Sequence, residues 1–130
     1  HPFYPGTGKA NETGTGDGLG TTWNLPTPIG TTRRAILDHF RHELEAAAEK
    51  MKPQLILISA GFDAHAEDPL AQCEMTTDGY EELSRVLLQL AEDVCEGRAV
   101  SMLEGGYHLT AAAQSLARHV KVLLEYGERA

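Results

Sequence analysis

The sequence predicts an α/β fold, a three-layer αβα arrangement built around a parallel sheet. Three observations carry that prediction. The run 54–60 is apolar on both faces and rich in Ile and Leu, and 99–103 repeats the signal; three other stretches place apolar residues at helical spacing; and the two patterns alternate along the chain. Strands covered by helices on both faces read as continuous apolar runs. The order helix, strand, helix, strand, helix then calls for parallel pairing through right-handed crossovers.

Taken in order, residues 1–30 hold most of the Gly and Pro, so they read as a long loop region with one short strand around 22–25. Loops of that length are usually functional or disordered. Residues 31–130 form the α/β core. Its first helix carries Ile36, Leu37, Phe40, Leu44, Ala47, Ala48 and Met51 on one side and stops before Pro53. The strand 54–60 follows. A second helix opens with Asp78 and Glu81 as a capping box, buries the stripe Leu83, Val86, Leu87, Leu90, Ala91 and Val94, and ends at Gly97. After the strand 99–103, Thr110 is the expected cap of a third helix with Ala113, Leu116, Ala117, Val120, Leu123 and Leu124 on its buried side. That makes about three strands and three main helices, fewer strands than a sheet so apolar on both faces normally has, and marks the fold as incomplete.

A chain of 130 residues is one domain's worth, with 42% hydrophobic and 23% charged residues, well inside the range that folds. Nineteen acidic against 11 basic residues give a formal charge of −8, which disfavours phosphate backbones and anionic lipid as partners. Neither nucleic acid nor a membrane is expected, and no apolar stretch approaches the ~20 residues of a spanning helix. Cys73 and Cys95 form no metal or disulfide motif, which fits thiols in a reducing cytoplasm. The opening His1-Pro2-Phe3-Tyr4-Pro5 reads as neither a start nor a signal peptide, so the chain is expected to be a piece of something longer.

Chemistry concentrates after the two strands, where open α/β sheets place their ligands. Asp63 follows the first, and a carboxylate there can ligate a cation or simply cap the turn. His65 offers a second donor two residues on. Tyr107 follows Gly105-Gly106, which permit a tight turn and close approach of a ligand; its phenol can donate to an oxyanion or merely pack beside the turn. Glu104 reads as a buried structural contact. His39, His42 and His119 read as members of solvated helix faces, and 14–20 lacks the phosphate-loop pattern GxxxxGK[ST].

In this order, Phe3-Tyr4-Pro5-Gly6-Thr7-Gly8, Asn24-Leu25-Pro26, Ser59-Ala60-Gly61-Phe62-Asp63-Ala64-His65 with Asp68-Pro69-Leu70, and Leu103-Glu104-Gly105-Gly106-Tyr107 resemble the histone deacetylase and acetylpolyamine amidohydrolase superfamily, most of all its bacterial deacetylase-like members. The resemblance spans nearly the whole chain but corresponds to the carboxyl-terminal portion of the family domain. It implies an arginase–deacetylase-like sheet and hydrolysis of an acetyl amide on a lysine or another amine. It matches Asp63 to the last of three zinc ligands and Tyr107 to the tyrosine that polarises the amide carbonyl. Tyr4 matches an aromatic wall of the acyl tunnel, Leu70 an apolar residue near its mouth, and Gly105 and Gly106 the glycines that let substrate pass. His65 is not among the family's ligands.

The resemblance also implies that two further zinc ligands and a pair of histidines lie upstream of Phe3. Zinc brings the pKa of bound water towards ~7 and a histidine takes the proton. One ligand cannot hold catalytic zinc, which wants three protein ligands plus water. The expectation is therefore zinc in the complete enzyme, weak or no zinc in this chain, and no turnover by the chain alone. Two other readings stand beside it: a non-catalytic module that self-associates through an exposed sheet edge, and an enzyme complemented by a separate amino-terminal half.

Overall fold

In the computed structural model, which describes residues 6–70 and 73–129, the order of elements is a 3₁₀ turn (Gly16–Gly18), α1 (Arg33–Met51), β1 (Ile56–Ala60), α2 (Thr77–Cys95), β2 (Ala99–Leu103) and α3 (Leu109–Gly127). The two strands pair in parallel, with Ile56 opposite Ala99 and Ala60 opposite Leu103. A parallel α/β fold, incomplete in its sheet, is what the chain forms.

Each helix is bounded by local chemistry. Thr32 caps α1 by accepting from the Ala35 N–H; Lys52 ends it in the left-handed conformation with φ 49°, and Pro53, which has no N–H to continue the helix, follows. The cap of α2 is Thr76, whose hydroxyl accepts from the Gly79 N–H at 3.1 Å, rather than the expected Asp78 and Glu81 box. Glu81 is drawn elsewhere, to Arg85 at 2.8 Å and to Arg118 of α3 at 2.9 Å. Glu96 and Gly97 both turn left-handed to close α2, and the Gly97 N–H reaches back to the Ala91 carbonyl at 2.9 Å. For α3 the cap is His108 instead of Thr110: its Nδ1 accepts from the Ala111 N–H at 3.2 Å.

The expected strand at 22–25 does not form. Its polar groups are spent inside the loop, with the Thr22 N–H donating to the Thr13 carbonyl and the Asn24 amide to the carbonyls of Lys9 and Glu12. Two strands are therefore present among the described residues, and helices cover one face of them. Ile58, Ala60, Phe62, Met75, Tyr80, Leu88 and Val122 make the core beneath α2 and α3, while α1 packs on α2. On the other face Leu57, Val100 and Met102 stay 63%, 49% and 44% exposed.

The inward side of α3 also differs from the expected stripe. Ala111, Ser115, His119 and Val122 are buried, whereas Val120 and Leu124 face out. The reason is a polar thread through the core. The Ser84 hydroxyl donates to the Tyr80 carbonyl at 2.7 Å and so accepts from His119 Nδ1 at 2.7 Å; His119 Nε2 then accepts from Ser101 at 2.8 Å. One histidine thus ties α3 to α2 and β2 in a single neutral tautomer. By contrast His39 and His42 lie on the exposed side of α1 as expected.

Burial holds the His119 imidazole below the ordinary histidine value. The unfolded chain therefore takes up the proton first as pH falls. Stability is whole above the unfolded value near ~6.5 and declines as pH drops from there through the lowered native value. Urea midpoints measured at about pH 7.5 and about pH 5.5 should differ for the native sequence and converge for His119→Gln. A native midpoint independent of pH across that window would contradict the assignment.

Candidate active site

The parallel register brings the carboxyl ends of β1 and β2 side by side, and the loops beyond them stay paired. Glu104 N–H donates to the Ala60 carbonyl at 3.0 Å and Phe62 N–H to the Gly105 carbonyl at 2.8 Å. This second bond places Asp63 against the Gly105-Gly106 turn. A Cβ at Gly105 would lie 3.2 Å from the Asp63 Cγ, and one at Gly61 would lie 2.9 Å from its Oδ1. The carboxylate thus occupies space that side chains at either glycine would claim. Gly106 adopts φ 139°, and a Cβ there would come within 3.0 Å of the Ala112 Cβ and 3.3 Å of the Phe62 Cβ. A side chain at Gly105 would crowd the Asp63 carboxylate, and one at Gly106 would crowd Ala112 and Phe62 from a backbone conformation that L residues rarely adopt.

Tyr107 emerges from this turn 58% exposed, and Leu70 stands 56% exposed on the neighbouring loop. Tyr4 lies outside the described residues. His65 is buried and both its ring nitrogens are engaged, Nδ1 by the Glu67 N–H at 3.1 Å and Nε2 by Thr77 at 3.3 Å, so it shapes the loop between Phe62 and Met75. Glu104 is exposed, contrary to the buried contact expected of it, because it continues β2 on the uncovered face. Among the described residues no group of three or more His, Cys, Asp and Glu is assembled to hold a metal ion. Asp63 belongs to no such group among the described residues, and one carboxylate by itself does not fit a zinc site.

Three residues to which motif reading assigned no role build this corner. Phe62, 3% exposed, sits under Asp63 with Tyr80 edge-on at 5.0 Å and His119 at 6.1 Å. The Tyr80 hydroxyl is buried beside the Ala64 backbone, and burial together with the Asp63 charge holds its phenol well above the usual tyrosine range. Asp68, 6% exposed, accepts from the N–H groups of Leu70, Tyr107 and His108. Burial alone would push the Asp68 carboxyl up; the three donors outweigh it and hold it below the usual carboxylate range. The Asp68-Pro69 dipeptide, a turn signal with an acceptor in its side chain, was the trace of that role in the sequence.

Residues 1–123 match the model of the histone deacetylase domain. Histone deacetylase 14, chloroplastic, of Arabidopsis thaliana is 46% identical over 121 residues, which are 93% of this chain and 29% of that protein. Among solved structures, the HDA15 HD domain superposes with a TM-score of 0.84 at 38% identity, over 95% of this chain and 34% of that one. The acetylpolyamine aminohydrolase of Burkholderia pseudomallei gives 0.79 at 30% identity, over 93% and 34%. The chain thus spans about a third of the length of these relatives. With its parallel strands, its ordered motifs and this likeness of sequence and shape, the chain belongs to the histone deacetylase family.

Proposed function

We propose that this stretch is part of a zinc-dependent amidohydrolase that removes acetyl groups from acetyl-lysine or from small acetylated amines. The observation that supports it best is the packing of Asp63 against the glycine turn that delivers Tyr107, which brings a metal-capable carboxylate and a phenol to one corner of the sheet. In this reading Asp63 is one of three zinc ligands and the other two come from the remainder of the full-length protein. The Tyr107 hydroxyl donates a hydrogen bond to the substrate oxygen as negative charge develops on it. Tyr4, Leu70, Gly105 and Gly106 line the passage for the acyl-amine chain. A reducing compartment, the cytoplasm, suits the buried Cys95 thiol, which donates to the Arg98 carbonyl.

Leu57, Val100 and Met102 on the uncovered sheet face favour a second component of the reading: that face is completed by the remainder of the protein, in cis or by complementation, or by self-association. Metal analysis and an acetyl-lysine reporter test both parts. The chain alone should hold well under one equivalent of zinc and show no turnover. Co-expressed with the remainder, it should hold one equivalent and turn over, and Asp63→Asn should lose both. Zinc at one equivalent in the chain alone, or a zinc-free and inert assembly, would overturn the proposal.

A further inference from the structure

We infer that Asp68 is the positioning residue for Tyr107, a clamp that sets where the phenol projects. The inference rests on the reading of Tyr107 as the oxyanion donor. It starts from how little else holds that side chain: Tyr107 is 58% exposed, and the residue before it is a glycine at φ 139°. The Phe62 to Gly105 bond holds the turn as far as Gly105, but beyond Gly106 neither packing of the Tyr107 ring nor intrinsic backbone preference sets where the chain goes. What does fix it comes from another loop. Asp68 Oδ2 accepts from the Tyr107 N–H at 2.7 Å and from the His108 N–H at 3.3 Å across 39 and 40 residues of sequence, while Oδ1 accepts from the Leu70 N–H at 2.9 Å. The Asp68 N–H is itself anchored on the His65 carbonyl at 2.8 Å.

Charge is part of the device. Donors converging on one buried carboxylate make charge-assisted bonds, stronger and shorter than neutral ones. The carboxylate also lies just ahead of the first turn of α3, where the positive end of the helix favours an anion. It therefore joins three things that must agree if the site is to work: the loop that carries Asp63, the apolar Leu70, and the start of α3 with Tyr107 ahead of it. A neutral side chain of the same shape fills the space but offers one acceptor atom where the clamp uses two.

The test is a double-mutant cycle in the full-length protein on an acetyl-lysine reporter. Asp68→Asn should lower kcat by roughly 10²-fold, the scale of an ångström-sized misplacement of a reacting group, with KM changed by less than about twofold. In a Tyr107→Phe background the same substitution should cost less than about twofold, because its target is already gone. An equal loss in both backgrounds would mean that Asp68 acts independently of Tyr107 and would overturn the inference. Amide hydrogen exchange on the same proteins gives a readout that does not need activity. Exchange should quicken at Tyr107 and His108 while α2 and the body of α3 stay protected; unchanged exchange at these two amides, or a uniform rise across the fold, would sink the clamp. Should the native protein prove inactive on the reporter, the exchange pattern still decides for or against Asp68, and only the oxyanion role falls.

Discussion

Tyr107→Phe, introduced into the full-length protein, should lower kcat by about 10²–10³-fold with KM nearly unchanged, the cost of losing one oxyanion donor. The structure makes this a clean experiment. Only the hydroxyl is removed; the backbone N–H groups of Tyr107 and His108 stay on Asp68, and the ring is on the surface, where such a change shifts stability by no more than about 0.5 kcal/mol. A lost rate with an unchanged unfolding midpoint would assign the phenol to the reaction. A variant that kept its rate would remove Tyr107 from the chemistry and leave Asp63 as the sole candidate in this stretch.

Phe62→Ala should be the most damaging truncation to the fold, at about 3–5 kcal/mol, the range for emptying a buried aromatic site. The ring is 3% exposed, packs on Tyr80 and His119, and stands against the place a Gly106 side chain would take. Its backbone joins the two loops through the Gly105 carbonyl. Urea denaturation measures the loss, and Phe62→Leu, which keeps most of the volume, should recover more than half of it. If Phe62→Ala cost under about 1 kcal/mol, far below the range for a buried aromatic, the ring would not be the support beneath Asp63. Both effects meet at one corner, which is where the site and the core share residues.

Much of this was legible in advance because it depends on local pattern. The runs 54–60 and 99–103 are apolar enough to be strands wherever they fall, and helical spacing of apolar residues marks all three helices and picks out Leu37 and Ala48 of α1 and Ala91 of α2 as buried. Where two local solutions compete, pattern does not choose. Thr76 and Asp78 are both able caps for α2, and Glu81 was free to choose between the helix start and two arginines. Apolar residues on α3 surround most of its circumference, so the stripe holding Leu124 and the stripe holding Val122 are equal on paper. Ser84 and Ser101 decide between them by offering His119 its two bonds, and a polar residue goes inward where periodicity alone would keep it out.

The site divides along the same line. Asp63 and Tyr107 are placed by sequence alone, since each follows a strand end by a fixed few residues and the strands could only be parallel. That both loops would be zipped by the Phe62 to Gly105 bond, that the Asp63 carboxylate would come up against the bare Cα of Gly105, and that Asp68 reaches across 39 residues to hold Tyr107 are decided by tertiary structure. The reason is physical. Periodicity and turn chemistry act over a few residues and can be read one segment at a time, but a hydrogen bond between two loops, or a Cβ that must be missing so that another chain segment can approach, exists only once both segments are in place.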